Sequence, residues 1–199
     1  MNTALSQRSA PRALPDMVTR AGHPVYFDSP HLTPVVEDDL KALARVCRYG
    51  GHYEWSVLQH LALCATLAKL EGLHPVVIAH CAAHDLHEAY VGDLVGGLKR
   101  HVRGWKSLEA AWEEHVLAGV GLEPANGLGV YVKAVDRLAL VVEMEHVGHH
   151  AAELCHRHYG REPIDTHRDA IRRVAHMRTP ALWSTVWSAI EAGREVSDG

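Results

Sequence analysis

The chain has little of what announces most functional classes. Its four cysteines, Cys47, Cys64, Cys81 and Cys155, stand far apart, and no CxxC occurs. That spacing signals neither a zinc knuckle nor a dithiol redox motif, and it predicts reduced, mostly buried thiols. No stretch approaches the roughly 18 consecutive apolar residues of a membrane span. The amino-terminal segment lacks the apolar core of a secretory leader, so a cytoplasmic protein with no membrane partner is expected. Positive charge is not in excess: 20 Lys and Arg against 24 Asp and Glu leave a formal charge of −4, which argues against a nucleic-acid partner. Only one Phe is present, so large aromatic packing falls to five Trp and six Tyr. Internal repeats and low-complexity tracts are absent, which excludes a solenoid.

What the chain does have is histidine, 17 of them, in 199 residues of otherwise ordinary globular balance. Histidine is the commonest transition-metal ligand, although many of these must lie on the surface. The length suits one hydrophobic core rather than two. Residues 1–15 read as a flexible tail and 16–199 as one helical domain, with the motif-bearing core at 35–147 and further helices over 149–195.

The hydrophobic pattern predicts an almost wholly α-helical bundle behind a small amino-terminal β hairpin or extended arm. The arm covers residues 17–28 around Gly22. A first helix is expected over 33–47, with Thr33 as cap, Pro34 at its first position and Glu37, Asp38 and Asp39 at the positive end of its dipole. A second, over 54–71, is apolar nearly all round and should be central. A third runs from His74-Pro75 to about residue 91. An amphipathic helix follows over 105–118, with Leu108, Ala111, Trp112, His115 and Val116 inward. A long apolar helix occupies 129–147, and two more fall near 165–177 and 180–193.

Three of these helices carry polar residues where the pattern calls for apolar ones. His60 interrupts SVLQHLALC, His84 and Asp85 interrupt VVIAHCAAHDLHEAY, and Asp136 interrupts VKAVDRLALVV. Singly, each is a satisfied core histidine or a helix-pairing aspartate, Asp136 for instance with Arg137 or Arg48. Jointly they make a two-imidazole, two-carboxylate set suited to Co, Mn, Zn, Fe or Ni. In a continuous helix Glu88, four residues after His84 and three after Asp85, shares their face. It is therefore placed to move protons beside a metal without ligating it. Asp93 follows Gly92 in the turn after this helix. Arg48 and Lys99-Arg100 are the cationic candidates for phosphate, and Tyr53 and Trp55 are candidates for an aromatic wall. His146, His149, His150, His156 and His158 lack a nearby carboxylate set and read mainly as surface residues.

The order H…HD…D resembles that of the HD-domain metal-dependent phosphohydrolases. Within them, HDLHEAYVGDL is similar to the HDxxExxxGDL signature of the 5'-deoxynucleotidase branch, which includes phage triphosphohydrolases of deoxynucleoside triphosphates. ARVCRYGGHYEWSVLQH resembles the segment leading into the first ligand histidine of bacterial and phage members. The resemblance covers roughly residues 17–147. It implies an HD-type helical bundle with His60, His84, Asp85 and Asp136 as ligands of a divalent transition metal and Glu88 as the catalytic acid/base. It further implies Asp93 at the sugar 3'-hydroxyl, Arg48 near the sugar-phosphate, Lys99 and Trp55 as further substrate contacts, and a homo-oligomer, dimer or higher. The implied activity is hydrolysis of phosphate from 2'-deoxynucleotides, either monophosphates or triphosphates. The competing reading is a non-catalytic metal- or nucleotide-binding sensor. Departures from the family pattern lie at VGGLKR after Asp93, at His87 in place of a small residue, and in the short Tyr53-Glu54-Trp55 run.

Overall fold

The computed structural model describes residues 14–124, 126–148 and 162–197. Its amino-terminal arm is a two-stranded antiparallel hairpin, β1 (Met17–Val18) and β2 (Pro24–Val25), with Met17 opposite Val25 and Val18 opposite Pro24. Gly22 turns it at φ 92°, a left-handed conformation that costs glycine nothing. Beyond it the backbone N–H of Tyr26 donates to the Thr33 hydroxyl at 3.0 Å, and Trp112 Nε1 donates to the Phe27 carbonyl at 3.1 Å. The arm is thereby fixed to the helical body.

The first expected helix is much shorter than its pattern. Helix α1 (Glu37–Leu40) covers one turn, and a 3₁₀ turn, Lys41–Ala44, continues it. Thr33 does not cap it: Thr33 follows a 3₁₀ turn, Pro30–Leu32, and its hydroxyl is engaged with Tyr26. The chain stays extended through Pro34 to Val36, which holds the cap position at φ −126°. Glu37, Asp38 and Asp39 do occupy the first turn. Asp39 is buried and accepts from His23 Nδ1 at 2.8 Å, joining α1 to the hairpin.

Between α1 and the next helix, Tyr49, Gly50 and Gly51 all have positive φ, at 57°, 63° and 79°. Two glycines adopt this freely; Tyr49 does so at some strain and only because its side chain is held. Cys47 and Ser56 pair across this loop. Helix α2 (Val57–Leu70) then opens on a capping box: Ser56 Oγ accepts from Gln59 N–H at 3.2 Å, and Gln59 Oε1 accepts from Ser56 N–H at 2.9 Å. Leu58, Leu61, Leu63 and Leu67 are fully buried on different sides of α2, so it is the central helix its apolar pattern requires. Each such leucine contributes roughly 1.5–3 kcal/mol of burial.

Helix α3 (Pro75–Ala83) does not run on to residue 91 as one helix. Residues 84–87 form a tight turn, and helix α4 (Glu88–Val91) follows. The N–H groups of Leu86, Glu88, Ala89 and Tyr90 each donate three residues back rather than four. Helix α5 (Gly96–Lys99) occupies the stretch whose glycines predicted only a break. Helix α6 (Trp105–Gly119) buries Trp112, Val116 and Leu117 and half-buries Leu108 and His115; Ala111 is exposed, contrary to the expected inward stripe. Tyr90 stacks on Trp112 with ring centroids 4.9 Å apart.

Helices α7 (Gly129–His146), α8 (Asp165–Ala175) and α9 (Thr179–Ser197) fall close to their expected places. Arg168 of α8 grips Glu145 of α7 through two bonds, at 3.0 and 3.1 Å, and His167 Nε2 meets Glu71 Oε1 at 2.9 Å. Helix α9 lies along α3, where Gly193 leaves no Cβ between the two backbones. The described chain is thus an all-α bundle with a small β arm, and none of its described helices is long and apolar enough to cross a membrane.

Candidate metal centre and its cavity

The bundle brings three separated segments to one point. His60 is on the inner face of α2, His84 and Asp85 sit in the tight turn after α3, and Asp136 is on α7. His60 Nε2 is 3.3 Å from His84 Nε2, 3.6 Å from Asp85 Oδ2 and 3.4 Å from Asp136 Oδ1. His84 Nε2 is 3.3 Å from Asp85 Oδ2. Donor atoms held about 2.0–2.2 Å from a common ion stand roughly 3.0–3.5 Å apart, so these spacings match a ligand set. His60 is fully buried, His84 and Asp85 are mostly buried, and Asp136 is partly open to solvent.

The far side of each imidazole fixes what its near side presents. His60 Nδ1 lies 2.7 Å from Glu143 Oε1, and His84 Nδ1 lies 3.0 Å from the Cys81 carbonyl oxygen. Both acceptors require a proton on Nδ1, which leaves a lone pair on each Nε2. Two lone pairs and two carboxylate oxygens then face one another at van der Waals distance or less. Such a set repels itself unless a cation or an extra proton joins it. His60 is accordingly driven toward holding that proton: burial and Arg48 oppose it, but Cys64, Glu143 and Asp136 push its pKa well up. Burial alone would raise the Asp136 carboxyl, yet the hydrogen bond and charge of His60, then His84 and Arg48, hold it far below the usual range. Asp85 is likewise lowered, with His84 and His60 prevailing over its burial. The donor set therefore fits a divalent transition ion in place of the proton.

Glu143 is a buried polar residue of the candidate centre that the polar-in-apolar pattern did not single out. It is fully buried, and besides His60 it faces Arg48 Nε at 3.2 Å and accepts from the Tyr49 hydroxyl. Burial opposes its ionisation, but Arg48, His60 and Tyr49 pull its pKa down to about 2. The sequence did carry a signal: Glu143 follows Asp136 by seven residues, two helical turns on the same face of α7. The left-handed run at 49–51 delivers Arg48 and Tyr49 to it. Arg48 reaches the centre too, with an Nη 3.7 Å from Asp85 Oδ2. Cys64 Sγ lies 3.6 Å from His60 Nε2, and burial raises its pKa, which keeps it a thiol.

A cavity of about 300 Å³ opens beside the centre. His84, Asp85 and Asp136 line it, together with His80, His87, Lys99, Glu109, Glu113 and Lys133. Glu88 is buried with its Oε1 3.7 Å from Lys99 Nζ, and its Oε2 has no hydrogen-bond partner among the described residues. Burial, then Asp85 and Asp93, push its carboxyl up to about 10 against the pull of Lys99 and Arg48. His84 and Asp85 are not in one continuous helix with it, but the tight turn stacks the Glu88 N–H on the Asp85 carbonyl at 3.1 Å. Asp93 is half-buried after the left-handed Gly92, and burial raises its pKa against Arg48 and Lys99.

Trp55 is not on the cavity wall. It is 2% exposed and packs against His146, ring centroids 5.8 Å apart, which makes it a core residue. Lys99 is on the wall, but its ammonium is bound to Glu109. Arg100 is exposed, and its guanidinium donates to the Gly96 carbonyl at 3.5 Å. His146 is exposed, as expected. His149, His150, His156, His158 and Cys155 lie outside the described residues. Compared with protein-family models the chain matches none, and compared with curated proteins it matches none either.

Proposed function

We propose that this chain is a metal-dependent phosphohydrolase of 2'-deoxynucleotides, acting on the monophosphates or triphosphates. The observation that carries the reading is the meeting of His60, His84, Asp85 and Asp136 at 3.3–3.6 Å beside a cavity that the last three line, with a buried acid, Glu88, three residues after Asp85. A binding protein needs the four ligands; it has no need of a buried carboxyl with a raised pKa close to them, and this weighs against a sensor. A divalent ion bound by those four residues supplies Lewis acidity, lowering the pKa of a coordinated water and drawing charge from phosphoryl oxygens.

The chain's own residues divide the remaining work. Glu143 and the Cys81 carbonyl hold the two imidazoles in the tautomer that offers Nε2. Glu88, with its pKa raised, keeps a proton near neutrality and can deliver it to a leaving oxygen. Asp85 restrains Arg48 close to the centre, where the guanidinium offsets charge on a phosphate. Asp93, at the end of the same segment, is the group assigned to the sugar 3'-hydroxyl.

The test is a panel of deoxy- and ribonucleoside mono- and triphosphates with Mn²⁺, Co²⁺ or Zn²⁺, read for phosphate, pyrophosphate and triphosphate release. Deoxynucleotides are expected to turn over, and Asp93→Ala is expected to narrow their advantage over ribonucleotides. Stoichiometric metal binding with no turnover of any member would overturn the enzyme reading in favour of the sensor.

A further inference from the structure

Across the cavity from Asp136 lies a second group of acceptors. His87 Nε2, a Glu88 carboxylate oxygen and a Glu109 carboxylate oxygen lie within 4.8 Å of one another. His87 and Glu88 are 4% and 2% exposed, and each has a buried polar atom, Nε2 and Oε2, with no hydrogen-bond partner among the described residues. His87 Nδ1 lies 3.1 Å from the His84 carbonyl oxygen, so the proton sits on Nδ1 and Nε2 offers a lone pair. One imidazole lone pair, the Glu109 carboxylate and the Glu88 carboxyl, whose proton a bound cation would displace, thus converge. The cation they share is Lys99, bound to Glu109 and 3.7 Å from Glu88 Oε1. Lys99 is about a quarter exposed, so its flexible stem can carry the ammonium out toward solvent.

We propose that His87, Glu88 and Glu109 form a second divalent-cation site on this cavity, with the Lys99 ammonium as its competing occupant. A nitrogen and two carboxylate oxygens suit Mn²⁺, Zn²⁺ or Co²⁺, and a divalent charge satisfies two carboxylates where one ammonium must be shared between them. Lysine holds the site when metal is scarce; the ion displaces it when metal is abundant. Because Glu88 belongs to both arrangements, filling this site withdraws the proton donor of the proposed reaction, so excess metal inhibits. That consequence rests on the proposed function; the site itself does not.

The measurement is Mn²⁺ bound per chain by equilibrium dialysis of the full chain, followed by elemental analysis, with circular dichroism to verify folding. The wild type is expected to bind two ions, one tight and one weak. Glu109→Gln, with His87→Gln as a second variant should the first misfold, is expected to lose the weak ion alone. Asp136→Asn is expected to lose the tight one alone. Lys99→Met, which removes the competing charge, is expected to bind the weak ion roughly tenfold or more tighter. One ion per chain in both wild type and Lys99→Met, lost in Asp136→Asn and kept in Glu109→Gln, would overturn the proposal. One ion lost in Glu109→Gln but kept in Asp136→Asn would uphold this site and overturn the four-residue centre instead.

Discussion

Glu143 Oε1 lies 2.7 Å from His60 Nδ1, with both side chains fully buried, and this contact sets the orientation of the innermost candidate ligand. A carboxylate behind a ligand histidine fixes its tautomer and raises its basicity. The same carboxylate neutralises Arg48, which is itself almost wholly buried. One residue thus does two separable things.

Glu143→Gln separates them. The amide can still accept from His60 Nδ1, so the fold survives better, but the ligand loses the charge behind it. Metal affinity is expected to fall roughly 10–100-fold by titration calorimetry. Glu143→Leu removes the acceptor and leaves Arg48 buried without its main counter-charge, which costs on the order of 3–5 kcal/mol in urea denaturation. Equal metal affinity in Glu143→Gln and wild type would remove Glu143 from the site.

Glu88 carries the opposite electrostatic sign. Its folded pKa is pushed up to about 10 from an ordinary value of 4.5. Below 4.5 both the folded and unfolded chains hold the proton and the group is neutral in its effect. As pH rises from there toward 10, the unfolded chain ionises while the folded one does not, and stability is lost by up to about 1.4 kcal/mol per pH unit. Metal-free Glu88→Gln is therefore expected to match wild type near pH 4.5 and to exceed it at pH 8 by on the order of 1–3 kcal/mol, while losing turnover. Denaturation curves at the two pH values decide it; identical stability at pH 8 would contradict the raised pKa of the buried carboxyl.

On the acid side the controlling groups are Glu109 and Glu143. His87, once protonated on Nε2 in acid, and Lys99, against some burial cost, hold Glu109 down to about 2, and Glu143 is held at about 2 by Arg48, His60 and Tyr49 against its burial. Both have depressed folded values, so their stabilisation is present above about pH 4.5 and disappears as pH falls toward 2. Acid unfolding followed by circular dichroism is expected to fall within that window. Glu109→Gln is expected to flatten it.

Much of this was legible in the residues. The helices at 57–70, 105–119, 129–146, 165–175 and 179–197 follow apolar periodicity strong enough to survive tertiary packing. His60, His84, Asp85 and Asp136 stood out because polar residues in apolar helices need a partner, and each of the three segments supplies one to the others. What periodicity could not convey was local chain geometry. The long helix expected over 33–47 failed because Thr33 and the prolines commit the chain to an extended path before Val36. The break at 84–87 leaves no mark in a sequence whose residues all favour right-handed backbone. Trp55 by itself reads better as core than as wall, the resemblance offers it as a substrate contact, and its burial against His146 decides for the core. Glu143 was hidden for a different reason: near the end of a helix a lone glutamate looks solvated, and its two-turn spacing from Asp136 has meaning only once Asp136 is known to point inward.

The packing of α9 on α3 supports the segment that leads into the candidate centre. Helix α9 crosses α3 at Gly193, where an added Cβ would overlap the Cβ of Ala79 and lie 3.1 Å from the Pro75 carbonyl oxygen. Backbone and a short buried alanine cannot move aside as a long flexible side chain would. Gly193→Ala gains up to about 1 kcal/mol of helix propensity, but overpacking of this kind costs roughly 1–3 kcal/mol, so the substitution destabilises on balance. Gly97→Ala is the matched control: it lies in α5 with nothing within 4 Å of its added Cβ, so it is expected to be neutral or to stabilise by a few tenths to about 1 kcal/mol. Because α3 leads directly into the turn that carries His84 and Asp85, a displaced α9 is expected to weaken metal binding as well as stability. Urea denaturation and metal titration on the two variants test both effects, and a Gly193→Ala protein as stable as Gly97→Ala would refute the tight crossing.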